Sequence, residues 1–180
     1  AYGAGSTLRL EDCVLRDTRP RASDGGMGAG AAATEGGVVN LRRVAIVRVA
    51  AAGIVVDGVG SGLDAEDLTV SDVSAQGDGT NGSGVVVDRG ATLRLTRASF
   101  EHMRLTGIYT GEATVSTLAD VAVRGVESQV LDGYFGFGLE VASGGALDAV
   151  RLEIADTRGA ALSAYEGATP PTVPPAVVSS

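Results

Sequence analysis

The segment Gly90-Ala91-Thr92-Leu93-Arg94-Leu95-Thr96-Arg97-Ala98-Ser99-Phe100 alternates polar and apolar residues up to Leu95, skips two places at Thr96-Arg97, then resumes with Ala98 and Phe100. A period of two means an extended strand with one face turned to an interior. Gly5-Ser6-Thr7-Leu8-Arg9-Leu10-Glu11-Asp12-Cys13-Val14-Leu15 repeats the pattern place for place, with Asp12 where the first segment has Arg97. Working outward, the closing apolar-x-apolar pair recurs as Cys13/Leu15, Val44/Ile46, Leu68/Val70, Ala98/Phe100, Val121/Val123 and Leu152/Ile154. The residue before each pair alternates in sign: Asp12, Arg43, Asp67, Arg97, Asp120, Arg151. A third apolar column, Leu10, Leu41, Ala65, Leu95, Leu118 and Ala149, runs three places before the first. All eighteen positions are apolar in a chain that is 44% hydrophobic, so these side chains share one interior.

A longer period accompanies the short one. Gly30, Gly84 and Gly138 are 54 residues apart, as are Val44, Ala98 and Leu152, while Cys13, Leu68 and Val121 are separated by 55 and then 53. The unit is a pair of turns, one long and one short, in a 54-residue double repeat. Fixed self-similarity on this scale marks a solenoid whose units bury their apolar faces only against their neighbours. Each turn is expected to carry about three short strands separated by Gly, Asp and Ser corners. One of these follows each of Gly30, Gly53, Gly84, Gly107, Gly138 and Gly159, with Ile54/Val56, Val85/Val87, Ile108/Thr110 and Leu139/Val141 inward. The reading is an all-β parallel β-helix of about six turns over residues 1–168. A tail or linker over 169–180 follows, where Pro170, Pro171, Pro174 and Pro175 lack the donor a sheet requires.

The two quoted segments resemble coils of the right-handed parallel β-helix, pectate-lyase-like superfamily, and the resemblance covers about residues 5–168. It implies a right-handed coil. That superfamily includes pectate lyases, polygalacturonases, phage tailspikes, adhesins and catalytically silent repeats, so it specifies fold more closely than function. An enzyme of this kind is expected, from the resemblance, to act on polysaccharide through paired carboxylates or through carboxylates holding calcium beside a basic Arg. Such proteins often stack Asn at the corner before the apolar pair, and here Asp and Arg hold that place.

Adjacent parallel strands lie about 4.8 Å apart, so each outward Asp is expected to meet an outward Arg above and below. Water and salt erode such pairs, and their stronger role is register, since a one-turn slip would set like charges together. A second column, Asp17, Arg48, Asp72, His102, Gly125 and Asp156, repeats the idea imperfectly, with the chain's one histidine in a cationic place.

The chain of 180 residues carries 14 basic residues, all of them Arg, against 22 acidic ones. A net charge of −8 argues against nucleic acid or an anionic membrane as partner. No apolar run is long enough to span a bilayer as a helix. The absence of Lys, with abundant Ala, Gly and Val, points to a GC-rich bacterial source. Beginning at Ala1 without Met, the chain reads as a processed or excised part of a larger polypeptide whose further turns or domains cap the coil. Cys13, alone and in an interior column, is expected to act as a small buried hydrophobe.

Candidate chemistry is sparse. Asp12, Asp67 and Asp120 are two turns apart with Arg between them, which suits a charge ladder better than a pair of catalytic acids. His102 and Asp72 can be written as a base and its orienting acid, or more plainly as a surface ion pair with no nucleophile or second carboxylate beside it. The corner Gly77-Asp78-Gly79-Thr80-Asn81-Gly82-Ser83-Gly84 precedes a strand and matches neither phosphate-loop nor EF-hand spacing. One His and one interior Cys cannot build a zinc site, and no metal or cofactor is expected.

The aromatic residues are more informative. Tyr134, Phe135 and Phe137 crowd one corner, and Tyr109 stands outward between inward Ile108 and Thr110, in a column with Ala32, Val55 and Val86. Long corners at about 18–29, 74–83 and 127–137 fall on that side of the coil. They fold over the column as a satellite core, or Tyr109, Tyr134, Phe135 and Phe137 form a platform for a glycan or protein partner. Taken together, the chain reads as a non-catalytic structural or binding module of a secreted or cell-surface bacterial protein. The alternative is a polysaccharide lyase or glycoside hydrolase, or a remnant of one.

Overall fold

The computed structural model describes residues 1–21 and 28–165, together with a two-residue strand at 177–178. Among these residues there are strands and turns but no helix. Six long strands, β1 (Thr7–Arg16), β3 (Val38–Ala50), β5 (Gly62–Ser74), β7 (Thr92–Met103), β9 (Val115–Val126) and β11 (Ala146–Thr157), alternate along the chain with six short ones. The short strands are β2 (Ala31–Thr34), β4 (Ala52–Asp57), β6 (Ser83–Asp88), β8 (Thr106–Thr110), β10 (Phe137–Ala142) and β12 (Leu162–Tyr165). The long strands stack in order as one parallel sheet and the short strands as another, an arrangement consistent with a parallel β-solenoid. β13 (Val177–Val178) pairs with β11 at the end of the first sheet, whereas the proline-bearing part of the expected tail, 169–175, lies outside the described residues.

The pairing puts Leu10, Leu41, Ala65, Leu95, Leu118 and Ala149 in one register, and does the same for the columns that start at Cys13 and Leu15. Phe100 is the largest fully buried side chain of this interior. The short strands answer with Ala31, Ile54, Val85, Ile108, Leu139 and Leu162, and with Ala33, Val56, Val87, Thr110, Val141 and Ala164. In β1 the inward residues Leu8, Leu10, Cys13 and Leu15 are only half-buried, because β1 stands at the edge of its sheet. Cys13 is therefore not the buried hydrophobe expected, and its thiol donates to the Glu11 carbonyl at 3.0 Å.

Instead of three short strands, each turn has two, because the long strand runs through its corner, its pairing skipping the charge-column residue and resuming at the next place. The corner is a bend at the charge column. Asp12, Arg43, Asp67, Arg97, Asp120 and Arg151 all have φ between 52° and 57°, and Asp17, Arg48, Asp72, His102, Gly125 and Asp156 lie between 53° and 66°. A left-handed residue inside a strand adds one place to the alternation, as a bulge does, which is why Leu10 and Cys13 both face inward three places apart. Asp and Gly adopt this conformation readily, and Arg does so at greater cost.

A glycine column explains the other corner. A Cβ on Gly53 would lie 2.4 Å from the Gly84 carbonyl oxygen and 2.5 Å from Val70 Cγ1. Gly84 and Gly107 meet the next turn's glycine carbonyl at 2.4 and 2.5 Å in the same way. The column's sixth place is Ala161, not the expected Gly159, since Leu139 pairs with Leu162.

Candidate functional site

The outward column of the short strands runs Ala32, Val55, Val86, Tyr109, Glu140, Ser163 in consecutive register. Its first three members are apolar, and Glu140 then places a carboxylate in the same column, 3% exposed. Thr106 donates its hydroxyl to Glu140 Oε2 at 3.0 Å, and Tyr165 donates its phenol to Oε1 at 2.7 Å. Both donors are neutral.

Two corners flank this column. The Leu131 amide donates to the Gly79 carbonyl at 3.2 Å, joining the corner after β5 to the corner after β9. The amides of Gly136 and Phe137 both donate to the Leu105 carbonyl, at 3.0 and 3.2 Å. Phe135 (φ 67°) and Gly136 (φ 86°) turn left-handed there, and the Phe135 ring meets Phe137 edge to face at 5.8 Å. A cleft of about 250 Å³ results. The rings of Tyr109, Phe135 and Tyr165 line it together with Glu140 and Thr106, while Asn81 and Ser83 add polar groups and Val86 and Leu105 apolar ones.

The Tyr109 ring lies against the backbone of Gly111, where an added Cβ would come within 2.7 Å of the phenol oxygen and 2.3 Å of Asp88 Oδ1. Burial, and then the nearby charges of Asp88 and Glu140, push the Tyr109 phenol above its ordinary pKa, so it stays a neutral ring with a hydroxyl.

Of the four aromatic residues expected to form a platform, Tyr109 and Phe135 line the cleft, and Phe137 stands behind Phe135. Tyr134 does not line it: the residue is 69% exposed at the corner, its amide donating to Asp132 Oδ1 at 2.9 Å. Val55 is buried while Val86 and Tyr109 are half-buried, so the outward column is incompletely covered where the cleft opens; part of the expected corner at 18–29, residues 22–27, lies outside the described residues. Glu140, Thr106 and Tyr165 were not anticipated. Glu140 could have been found, because it stands 54 residues after Val86, the repeat length, and puts a charge in an apolar column. Tyr165 carries no comparable signal, because the apolar columns aligned from the repeats reach no further than Ile154.

His102 and Asp72 do meet, Nδ1 to Oδ1 at 3.1 Å, with side chains 70% and 50% exposed. They share a shallow depression of about 230 Å³ with Ser74, Arg104 and Glu127. Contrary to the expectation of no second carboxylate, Glu127 is present, but it is engaged in an ion pair with Arg104. The arrangement is a set of exposed pairs, Asp72 facing the His102 imidazole and Glu127 facing the Arg104 guanidinium.

The charge ladder is a series of separate rungs. Arg43 grips Asp12 through Nε (2.6 Å) and Nη2 (2.9 Å) and also reaches Glu11. Arg97 holds Asp67 at 2.6 and 3.0 Å and pairs with Glu66, and Arg151 holds Asp120 with two bonds. Each Arg therefore reaches one neighbouring turn, not both as expected. Hydrogen bonds from these guanidiniums hold the carboxyls of Asp12, Asp67 and Asp120 below the usual carboxylate range. In the glycine-rich corner, Asp78 Oδ1 accepts from the Thr80 amide and hydroxyl at 2.9 and 2.7 Å, which ties the turn to itself. No three His, Cys, Asp or Glu side chains among the described residues come together as a metal set, and no helix among them is long and apolar enough to cross a membrane. The chain matches no protein family, no curated protein and no solved structure.

Proposed function

We propose that the chain is a non-catalytic binding module of a secreted or cell-surface bacterial protein. In this reading it is a right-handed parallel β-helix of pectate-lyase-like type that holds a glycan in the cleft between Tyr109, Phe135 and Tyr165. The observation that carries the reading is the cleft itself: three rings beside a buried carboxylate with hydrogen-bonding capacity to spare. Ring faces stack on the C–H face of a sugar, and a fixed acceptor orients its hydroxyls. A glycan array probed with the wild type and with Tyr109→Ala/Phe135→Ala tests it. Binding is expected to disappear in the double variant and to survive in Tyr134→Ala, whose ring lies outside the cleft. Binding unchanged by loss of both cleft rings removes the site.

The alternative, a polysaccharide lyase or glycoside hydrolase or its remnant, draws its support from the depression that gathers Asp72, His102 and Glu127. Against it stands the engagement of each acid with a partner, Asp72 with the His102 ring and Glu127 with Arg104. A reducing-end assay on pectin and alginate is expected to show no cleavage. Cleavage abolished by His102→Ala would establish the enzyme reading instead.

A further inference from the structure

We infer that the cleft selects glycans bearing protonated amines, with Glu140 as the counter-ion; this deepens, and rests on, the glycan-binding reading above. Asp12, Asp17, Asp57, Asp64, Asp67, Asp120, Glu127 and Glu153 each face an Arg. Glu140 is more buried than any of them and, among the described residues, is held by two hydroxyls, those of Thr106 and Tyr165. Among the described residues lining the cleft, none is basic.

A carboxylate offers about four lone-pair positions, so two bonds from neutral donors leave acceptor capacity unused. Burying a charge without a counter-charge is unfavourable unless something in the site compensates it. An ammonium group placed beside Glu140 supplies both a charge and strong donors, and charge-assisted bonds of this kind are about twice as strong as neutral ones. The rings add to the same preference. A cation over the face of a tyrosine or phenylalanine is attracted by the ring quadrupole, and Tyr109 already lies in the field of both Asp88 and Glu140.

Sugars of other charge fare worse at the same atoms. A uronate carboxylate would be set against Glu140 in a chain of net charge −8, which also repels it on approach. A neutral N-acetyl group can donate one hydrogen bond but leaves the buried charge uncompensated. The chemistry recognised is therefore a free amine on a pyranose ring, as in a glucosamine oligomer.

Isothermal titration with a glucosamine tetramer and with its fully N-acetylated counterpart tests the inference, using the wild type and Glu140→Gln and a slightly acid buffer that keeps the amines protonated. The wild type is expected to bind the amine form at least about tenfold more tightly, and Glu140→Gln to lose that margin, binding the two forms with equal affinity. Equal affinity of the wild type for both tetramers overturns the amine preference and leaves the glycan reading standing. Failure of the wild type to bind either tetramer or any arrayed glycan overturns both. Should Glu140→Gln not fold, the side-chain carboxyl carbon resonance of Glu140 in the wild type provides the second measurement. It is expected to move on addition of the amine tetramer and not of the acetylated one, and a resonance unmoved by the amine form overturns the inference.

Discussion

Gly84→Ala probes the close approach that seats the short strands on the core. The added Cβ would stand 2.4 Å from the Gly107 carbonyl oxygen, 2.7 Å from Phe100 Cδ1 and 3.3 Å from Met103 Sδ. A carbon and a carbonyl oxygen rest at about 3.3 Å or more, so β6 and β8 must part by about 1 Å, and no rotamer change can relieve a clash with backbone. Parting the strands weakens one or two ladder hydrogen bonds at about 0.5–1.5 kcal/mol each. Forcing volume against Phe100 adds about 1–3 kcal/mol. The sum is about 1.5–6 kcal/mol, which for a chain of this size lowers Tm by roughly 3–24 °C. Gly77→Ala is the control, because its Cβ meets nothing within 4 Å and its backbone is not left-handed. There the loss of unfolded-state freedom leaves stability unchanged or raises it by about 0.4–1 kcal/mol. Urea unfolding followed by far-UV circular dichroism measures both. Midpoints for the two variants within about 0.5 kcal/mol of each other refute the stacked-glycine argument.

Thr110 is fully buried with no hydrogen-bond partner for its hydroxyl, so Thr110→Val is expected to raise stability by about 1 kcal/mol, read as a higher urea midpoint. Because Arg97 sits at φ 52° and holds Asp67 and Glu66, Arg97→Asn keeps a residue suited to that backbone and removes only the charge, while Arg97→Asp adds a third carboxylate. The Asp variant should unfold at lower urea than the Asn variant at low salt, with the gap closing in high salt; equal low-salt midpoints would end the ladder argument. Asp12, Asp17, Asp67 and Asp120 have folded pKa values depressed by Arg hydrogen bonds. Their contribution is complete above the unfolded value near about 3.9 and is lost as pH falls through the folded values, so urea midpoints should drop below about pH 4, and less so in Arg43→Gln/Arg97→Gln/Arg151→Gln. Glu140→Met alone should destabilise by stranding the buried Thr106 hydroxyl, whereas Thr106→Val/Glu140→Met should recover wild-type stability or exceed it while losing the amine preference.

The interior columns were readable because every turn repeats the same environment, so eighteen apolar places could be aligned without coordinates and the pairing follows that alignment. The two-place skip at Asp12 or Arg97 was visible as well, although its cause, a left-handed residue inside a continuous strand, depends on φ and leaves no mark in residue type when Arg fills the position. Gly159 misled because the crowding that demands glycine comes from a following turn. At β12, the edge of its sheet, no short strand lies beyond among the described residues, and Ala161 fits. Edge position likewise explains Cys13, whose column is interior but whose strand has a neighbour on one side only. The cleft was half visible. Tyr109 and Phe135 stood out by their rarity among seven aromatic residues, while Tyr165 reaches Glu140 from the neighbouring strand through a contact that only the register reveals.

In a stacked repeat each column samples one environment many times, so a residue that breaks its column's chemistry carries more information than the same residue would elsewhere. Three such breaks lie close together in sequence. Ser116 interrupts the inward column Leu8, Val39, Leu63, Leu93, Leu147, and Thr110 interrupts the column of Val56, Val87 and Val141; both hydroxyls point into the core without partners. Those two reduce stability and offer nothing to a ligand. Glu140 differs in each respect: it breaks an outward column, its oxygens are bonded, and it lines a cleft with three rings. An apolar residue there would have extended the satellite core with no exposed consequence, and a solvated acid would have served solubility. A buried, hydroxyl-bonded acid lining an aromatic cleft does neither. That combination makes Glu140 the residue on which the binding reading stands or falls.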